Sequence, residues 1–160
     1  MRRAFLLLLV AVVAASCNRT VDITTALKVT DVRTGWSDIG PVNGGQNKLV
    51  PSISLKLENV SGDLVAGVQL NAIFHRVDES ENWGEHWVRA VDQEGLKPGS
   101  TTNAVVLRST LGYTGDQPKP VMLQHKEFVD ARVEVFGKQG RNNWVKLTEV
   151  RIARQLLGAE

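Results

Sequence analysis

The sequence predicts an all-β protein, a single antiparallel β-sandwich of about seven strands that follows an N-terminal export segment. From Leu49 onward the apolar residues recur with a period of two rather than 3.6, which is typical of strands with one buried face. Segments rich in glycine, proline and asparagine separate these stretches, and no long stretch has helical periodicity. Short strands between such turns are typical of antiparallel sandwiches and barrels, and we favour the sandwich.

The first sixteen residues have the order of an export signal. Arg2 and Arg3 supply a positive start, and Ala4–Ala15 is an unbroken apolar run followed by Ser16. An apolar helix of this length measures about 18 Å, which is too short for the roughly 30 Å hydrocarbon core of a bilayer. We therefore expect residues 1–16 to be a cleaved signal peptide.

Cys17, the only cysteine, follows this segment directly. The residues Ala14-Ala15-Ser16-Cys17 resemble the bacterial lipobox, with alanine at the first position where leucine is usual. The resemblance implies that Cys17 carries a diacylglyceryl group and fatty acyl chains such as palmitate, and residues 17–25 are then a lipidated tether of at most about 28 Å. Asn18, in place of aspartate, implies an outer-membrane location facing the periplasm if the cell has two membranes. The alternative is ordinary cleavage, which leaves a free thiol near the mature N-terminus.

Size and charge restrict the mature protein further. Removal of residues 1–16 leaves about 144 residues, enough for one domain with its own core, which we place at residues 26–157. The net charge of +2 comes from Arg2 and Arg3, so the mature chain is neutral. Its basic residues are scattered singly rather than clustered, and we therefore expect no nucleic acid partner.

The first three predicted strands precede residue 76. Leu27–Arg33 has the weakest pattern, whereas apolar and polar residues alternate in Leu49–Glu58 and in Val68–His75. Asn59–Asp63 has turn chemistry, so we expect the second and third strands to form a hairpin. The positions expected to face the core are Ile53, Leu55 and Leu57 in one strand and Val68, Leu70, Ala72 and Phe74 in the other.

Two strands and a loop come next. Trp83–Val91 alternates less cleanly and is followed by the turn Gly95–Ser100, after which Ala104–Leu107 resumes β-character. Gly112–Pro120 contains two glycines and two prolines, and we expect it to be a loop.

The last two strands are separated by the turn Gly137–Asn143. Trp144–Ile152 has a break in its alternation that suggests a bulge, and Ala153–Leu157 fits either a short helix or an extension of this strand. Phe128–Phe136 is the strand before the turn, with one face made of Val129, Ala131, Val133 and Val135.

Three segments together resemble a known family. They are the asparagine-containing turn in Leu57–Gly62, the long strand Ala66–Phe74 and the Pro-Gly turn in Gly95–Ser100. Over about a third of the chain this order resembles the bacterial FxLYD-type immunoglobulin-like domains. The resemblance implies an immunoglobulin-like sandwich outside the cytoplasm and brings no catalytic residue with it.

The spacing of nucleophiles, carboxylates and histidines matches no catalytic or metal-binding motif. His75, His86 and His125 do not occur at metal-ligand spacing, and no serine lies in a nucleophile elbow. The one thiol is expected to be acylated. We therefore predict no metal, no cofactor, no catalytic residue and no enzymatic activity, and a hydrolase with paired carboxylates is the least favoured alternative.

Aromatic residues are the best candidates for recognition. Trp83 and Trp87 are four residues apart, so on one extended strand they share a face about 13 Å apart, and such a pair can stack on sugar rings or pack on a partner. The competing interpretation is that one or both fill the core. Tyr113, in the predicted loop, is a third candidate.

The sequence thus predicts a membrane-anchored, non-enzymatic envelope lipoprotein with a binding or assembly role. Its contact surface is expected at Trp83, Trp87 and Tyr113, and its partner is an envelope protein or a glycan. The main alternative is a carbohydrate-binding module for cell-wall or surface glycans.

Overall fold

The computed structural model describes residues 21–158, and these residues form two antiparallel sheets packed face to face. The predicted all-β sandwich is therefore confirmed. The first sheet has the order β1-β2-β5, with β6 also paired to β2, and the second has the order β4-β3-β7-β8. The strands are β1 Leu27–Val42, β2 Gln46–Asn59, β3 Val68–Arg76, β4 Glu85–Val91, β5 Val105–Arg108, β6 Tyr113–Gly115, β7 Ala131–Gln139 and β8 Val145–Arg151. The helices are α1 Ile23–Ala26 and α2 Lys119–Gln124.

The core lies between the inner faces of the two sheets. The alternating apolar residues predicted for β2 and β3 are all fully buried there, because burial of such a face removes apolar surface from water. Trp36 of β1, also fully buried, lies at one end of this core among aromatic residues of other elements.

The predicted hairpin between β2 and β3 is wrong, because the two strands belong to different sheets. β2 pairs with β1 and β5, whereas β3 pairs with β4 and β7. The side chain of Asn59 redirects the chain between them. Its Nδ2 donates to the backbone oxygens of Asp63 and Leu96, each at 2.8 Å, and its Oδ1 accepts from the amide of Ser61.

Several element boundaries differ from prediction. β1 is sixteen residues long, with irregular register after Thr30 and after Asp38, which weaken its alternation. β7 starts at Ala131, and Val129 is 40% exposed instead of facing the core. The residues before β7 form a turn, in which the Phe128 amide bonds to the His125 oxygen. The predicted loop Gly112–Pro120 contains β6 and the start of α2.

The C-terminal segment extends the first sheet. Leu156 forms a parallel bridge with Trp36, and the amide of Leu157 donates to the Trp36 oxygen. Ala153–Leu157 is therefore neither of the two predicted forms, a short helix or an extension of β8, because it leaves the second sheet and joins the edge of β1.

The domain begins earlier than the predicted boundary at residue 26. The amide of Val21 donates to Oε1 of Gln139 at 2.9 Å, and Asp22 caps α1 by accepting from the Thr24 amide. Ile23 is buried in the core. Residues 21–25 thus lie against the sandwich, and Cys17 and the signal peptide lie outside the described residues.

The strands define two ends of the molecule. We call one the Val21 end, because it holds Val21 and the connections at residues 60–67, 92–104 and 140–144. The opposite end holds residues 43–45, 77–84 and 109–130, and we call it the Tyr113 end.

Replacement of Asn59 by alanine is expected to lower the free energy of unfolding by about 2 to 4 kcal/mol, because its fully buried side chain loses the hydrogen bonds to Asp63, Leu96 and Ser61. Chemical denaturation measures this change. Asn103, an exposed asparagine in the same part of the chain, provides the control, and Asn103→Ala is expected to change stability by less than about 0.5 kcal/mol. Equal effects of the two variants would contradict the role given to Asn59.

Candidate functional site

Four aromatic side chains form a cluster at the Tyr113 end. The ring of Trp36 lies 4.4 Å from that of Phe128, 5.7 Å from that of Tyr113 and 6.2 Å from that of Trp83, measured between centroids. Tyr113 in turn contacts Trp83 at 5.2 Å and Phe128 at 4.7 Å. The cluster therefore joins four separate segments of the chain and unites two of the predicted site residues, Trp83 and Tyr113.

Trp83 faces inward because of a bulge at the start of β4. The amide of Trp83 donates to the Phe74 oxygen, and the amide of Phe74 donates to the Gly84 oxygen, so two residues of one strand face one residue of the other. Because of this extra residue, the Trp83 side chain lies on the inner face of the sheet, the same face as the buried Phe74. Gly84 has a φ of +132°, and a Cβ there would lie 2.2 Å from the Ser109 hydroxyl, so glycine is required.

A groove of about 280 Å³ lies beside the cluster. Its floor is apolar and its rim carries polar and charged groups. The lining residues are Tyr113, Thr114, Gln117, Met122, His125, Glu127 and Phe128. The short helix α2 supplies Met122, and an ion pair between Lys119 and Asp38 ties this helix to β1.

Several exposed hydrophobic side chains lie in the same part of the molecule as the groove. They are five of the nine large hydrophobic side chains that are exposed within residues 21–158, and they lie at the Tyr113 end or on segments that reach it. These residues are Ile39, Leu111, Val121, Val129 and Leu156.

Asp130 fixes the wall of the groove to the C-terminal segment. It pairs with Arg151 at 2.6 Å and with Arg154, and Arg154 also donates to the backbone oxygen of Phe128 at 2.7 Å. Burial acts to raise the pKa of the Asp130 carboxyl, but the hydrogen bonds from the two arginines outweigh it and hold that pKa below its usual value of 3.8.

Trp87 lies on a different surface from Trp83. It is 52% exposed on the outer face of the second sheet, and its ring meets that of Trp144 at 4.9 Å and an angle of 87°. Trp144 immediately precedes β8, and β3 and β7 lie between β4 and β8 in the sheet. The two tryptophan side chains therefore contact each other across these two strands. Asn71, paired with Trp87 in the sheet, is almost fully buried, and its Oδ1 has no hydrogen-bond partner among the described residues.

The histidines have separate surroundings. His75 Nδ1 lies 2.9 Å from the Glu81 oxygen, and its Nε2 lies 3.2 Å from Glu134 Oε2. A hydrogen bond from Lys146 lowers the pKa of the Glu134 carboxyl against the opposing effect of burial. His86 Nδ1 accepts from the Arg108 amide and so links the edges of the two sheets, while His125 lines the groove.

Within residues 21–158, no three His, Cys, Asp or Glu side chains are grouped so that they could hold a metal ion. The helices in the same part of the chain are too short to span a bilayer.

The sequence pattern did not single out Trp36, Phe128 or Trp144 as site residues. Trp36 lies beyond the predicted end of the first strand, and Phe128 was assigned to a strand that begins three residues later. Trp144 follows Arg141-Asn142-Asn143, and a tryptophan directly after a polar turn is the signal that could have indicated a partly exposed ring.

Acidification is expected to release the C-terminal segment. Because the folded-state pKa of Asp130 lies below the unfolded value of 3.8, its contribution is complete above that value and is lost as the pH falls through the folded pKa. At neutral pH, Asp130→Asn is expected to speed hydrogen exchange of the Leu157 amide roughly fivefold, as for a loss of about 1 kcal/mol. Asp116→Asn, at an exposed carboxylate of the same end, is the control, and equal exchange in both variants would refute the role given to Asp130 in holding the C-terminal segment.

Comparison of the chain with protein-family models, curated proteins and solved structures found no match. The resemblance to FxLYD-type domains therefore stays a prediction.

Proposed function

We propose that the protein is a membrane-anchored envelope lipoprotein without enzymatic activity, and that it binds a partner of the cell envelope through the groove at its Tyr113 end. Acyl chains on Cys17 supply the anchor, at the envelope location inferred from the lipobox resemblance. The groove supplies apolar contact area with a polar rim, which is the usual composition of an interface centre and its border.

The observation that carries this proposal is the position of Val21. Its hydrogen bond to Gln139 fixes the chain four residues after Cys17, so at most about 14 Å separates the anchor from the domain. The groove lies at the opposite end of the strands. Anchoring therefore leaves the groove accessible to a partner.

The glycan-binding alternative required Trp83 and Trp87 to form one exposed platform. Trp83 instead packs against Trp36 in the cluster, and the rings of Trp87 and Trp144 are nearly perpendicular. A flat double stacking surface for a sugar is not formed by these residues, so we favour a protein partner.

The anchor is tested by mass spectrometry of the N-terminal peptide from producing cells. The peptide of the wild-type protein is expected to begin at Cys17 and to carry the mass of the lipid, whereas Cys17→Ser is expected to abolish this modification and to release protein from the membrane fraction. Ser16→Ala keeps a small residue before the cleavage site and is expected to behave as wild type. An unmodified Cys17 in the mature protein would refute the anchor.

The groove is tested by site-specific photo-crosslinking in intact cells. A crosslinker at Gln117, on the exposed rim, is expected to give one discrete adduct with an envelope component. The same crosslinker at Lys97, exposed at the Val21 end, is expected to give at most about a tenth of that adduct. Equal yields at both positions, or none at either, would contradict the assignment of the groove.

A further inference from the structure

The outer face of the second sheet carries an aromatic and cationic surface. We call it the Trp87 patch and define it by Trp87, Arg89, Lys138 and Trp144. Trp87 and Arg89 are two residues apart on β4 and so share a face. Lys138 lies with its Nζ 4.8 Å from the Trp144 ring. The two aromatic rings and the two cations therefore occupy one continuous part of the sheet.

The cations of this patch are available to an external anion. The ion pairs among residues 21–158 include neither Arg89 nor Lys138. Two glutamates farther along the same face, Glu134 and Glu149, both pair with Lys146 at 2.9 Å. Glu85 shares this face as well, but it lies on the far side of Trp87 from Arg89. Two acidic residues, Asp92 and Glu94, lie in the connection after β4, at the Val21 end. Their negative charges oppose anion binding there, so we place the attraction for anions on the outer face of the sheet.

The chain toward Cys17 leaves the domain at the end of the strands that is nearer to Lys138 and Trp144. Val21 is bonded to Gln139, which follows Lys138 on β7 and points to the opposite face of the sheet, and it shares a surface cavity with Asn143, the neighbour of Trp144. A span of four residues cannot exceed about 14 Å. With Cys17 in the bilayer, Trp144 and Lys138 therefore lie within reach of the headgroups.

We propose that the Trp87 patch rests on the membrane and binds anionic lipid headgroups, so that the domain is held in one orientation. The proposal rests on the anchor described above. Tryptophan rings favour the interface between headgroups and acyl chains, because one edge is apolar and the indole N–H can stay hydrated. Arginine and lysine beside them attract anionic lipids, and this attraction falls with salt. The anionic membrane surface is then a single ligand that contacts both the exposed Trp87 ring and the unpaired Arg89.

The test uses the chain that begins at Cys17, which retains every core residue. Its only thiol is coupled to a maleimide lipid in phosphatidylcholine vesicles, with or without phosphatidylglycerol, that contain lipids brominated near the headgroup. Quenching of tryptophan emission reports contact with the lipid. Because the coupling supplies the anchor, the result does not depend on acylation in the cell, and a failure here is distinct from a failure of the lipoprotein assignment.

We expect strong quenching with phosphatidylglycerol at low salt. The double variant Arg89→Glu/Lys138→Glu is expected to reduce it at least about threefold, to the level of neutral vesicles. Lys28→Glu/Lys97→Glu makes the same change in charge away from the patch and is expected to leave quenching unchanged. Trp87→Phe/Trp144→Phe is expected to remove the quenched component and leave the emission of Trp36 and Trp83. Circular dichroism verifies the fold of each variant.

Two results would overturn the proposal. One is equal quenching in the patch variant and the Lys28/Lys97 variant. The other is emission that lipids do not quench but soluble peptidoglycan fragments change, which would make the patch a glycan site.

Discussion

The two-sheet architecture depends on the hydrogen bonds of one buried residue, Asn59. The chain crosses between the sheets after β2, after β4 and after β6, and Asn59 contacts the first two of these connections. Its side chain bonds to Asp63 in the first connection and to Leu96 in the second, while its backbone bonds to Ser100 and Gly99 of the second. Buried amide groups need all such partners, because an unpaired one costs the full loss of its hydration. The order of strands in both sheets thus depends on the long-range hydrogen bonds of Asn59, whereas local sequence rules identify this residue only as part of a turn.

The inner faces of the strands were predictable because a period of two is a local property. Val68 to Phe74 alternate and are buried as expected, since burial of one face needs no knowledge of the partner strand. Partner choice is not local. Alternation with a turn at Asn59 fits a hairpin and a crossing equally well, and the hydrogen bond to Leu96 joins residues 37 positions apart. The candidate site could be predicted only in part for the same reason. The sequence indicates Trp83 and Tyr113 as candidate residues, but their contacts with Trp36 and Phe128 join distant segments of the chain.

Two glycines explain why the candidate site assembles where it does. Gly84 permits the bulge that turns Trp83 inward, and a Cβ on Gly112 would lie 2.1 Å from the Leu49 oxygen, where β5 gives way to β6. Gly112 therefore lets the chain pass close to β2 and brings Tyr113 onto its edge, opposite Leu49. In the sequence both glycines look like ordinary turn residues. Their effect is to place two aromatic rings from distant segments against Trp36.

The charge distribution gives the two candidate surfaces different roles. The chain from Cys17 onward has no net charge, so it produces little long-range attraction for a partner in solution, and the groove must rely on contact between apolar surfaces. The anchoring that we propose would compensate for weak attraction, because an anchored protein meets other envelope components at a raised effective concentration. The proposed orientation on the membrane would add to this effect by presenting the groove in a constant direction. In the proposed arrangement, the unpaired cations of the Trp87 patch and the apolar groove at the Tyr113 end are therefore complementary.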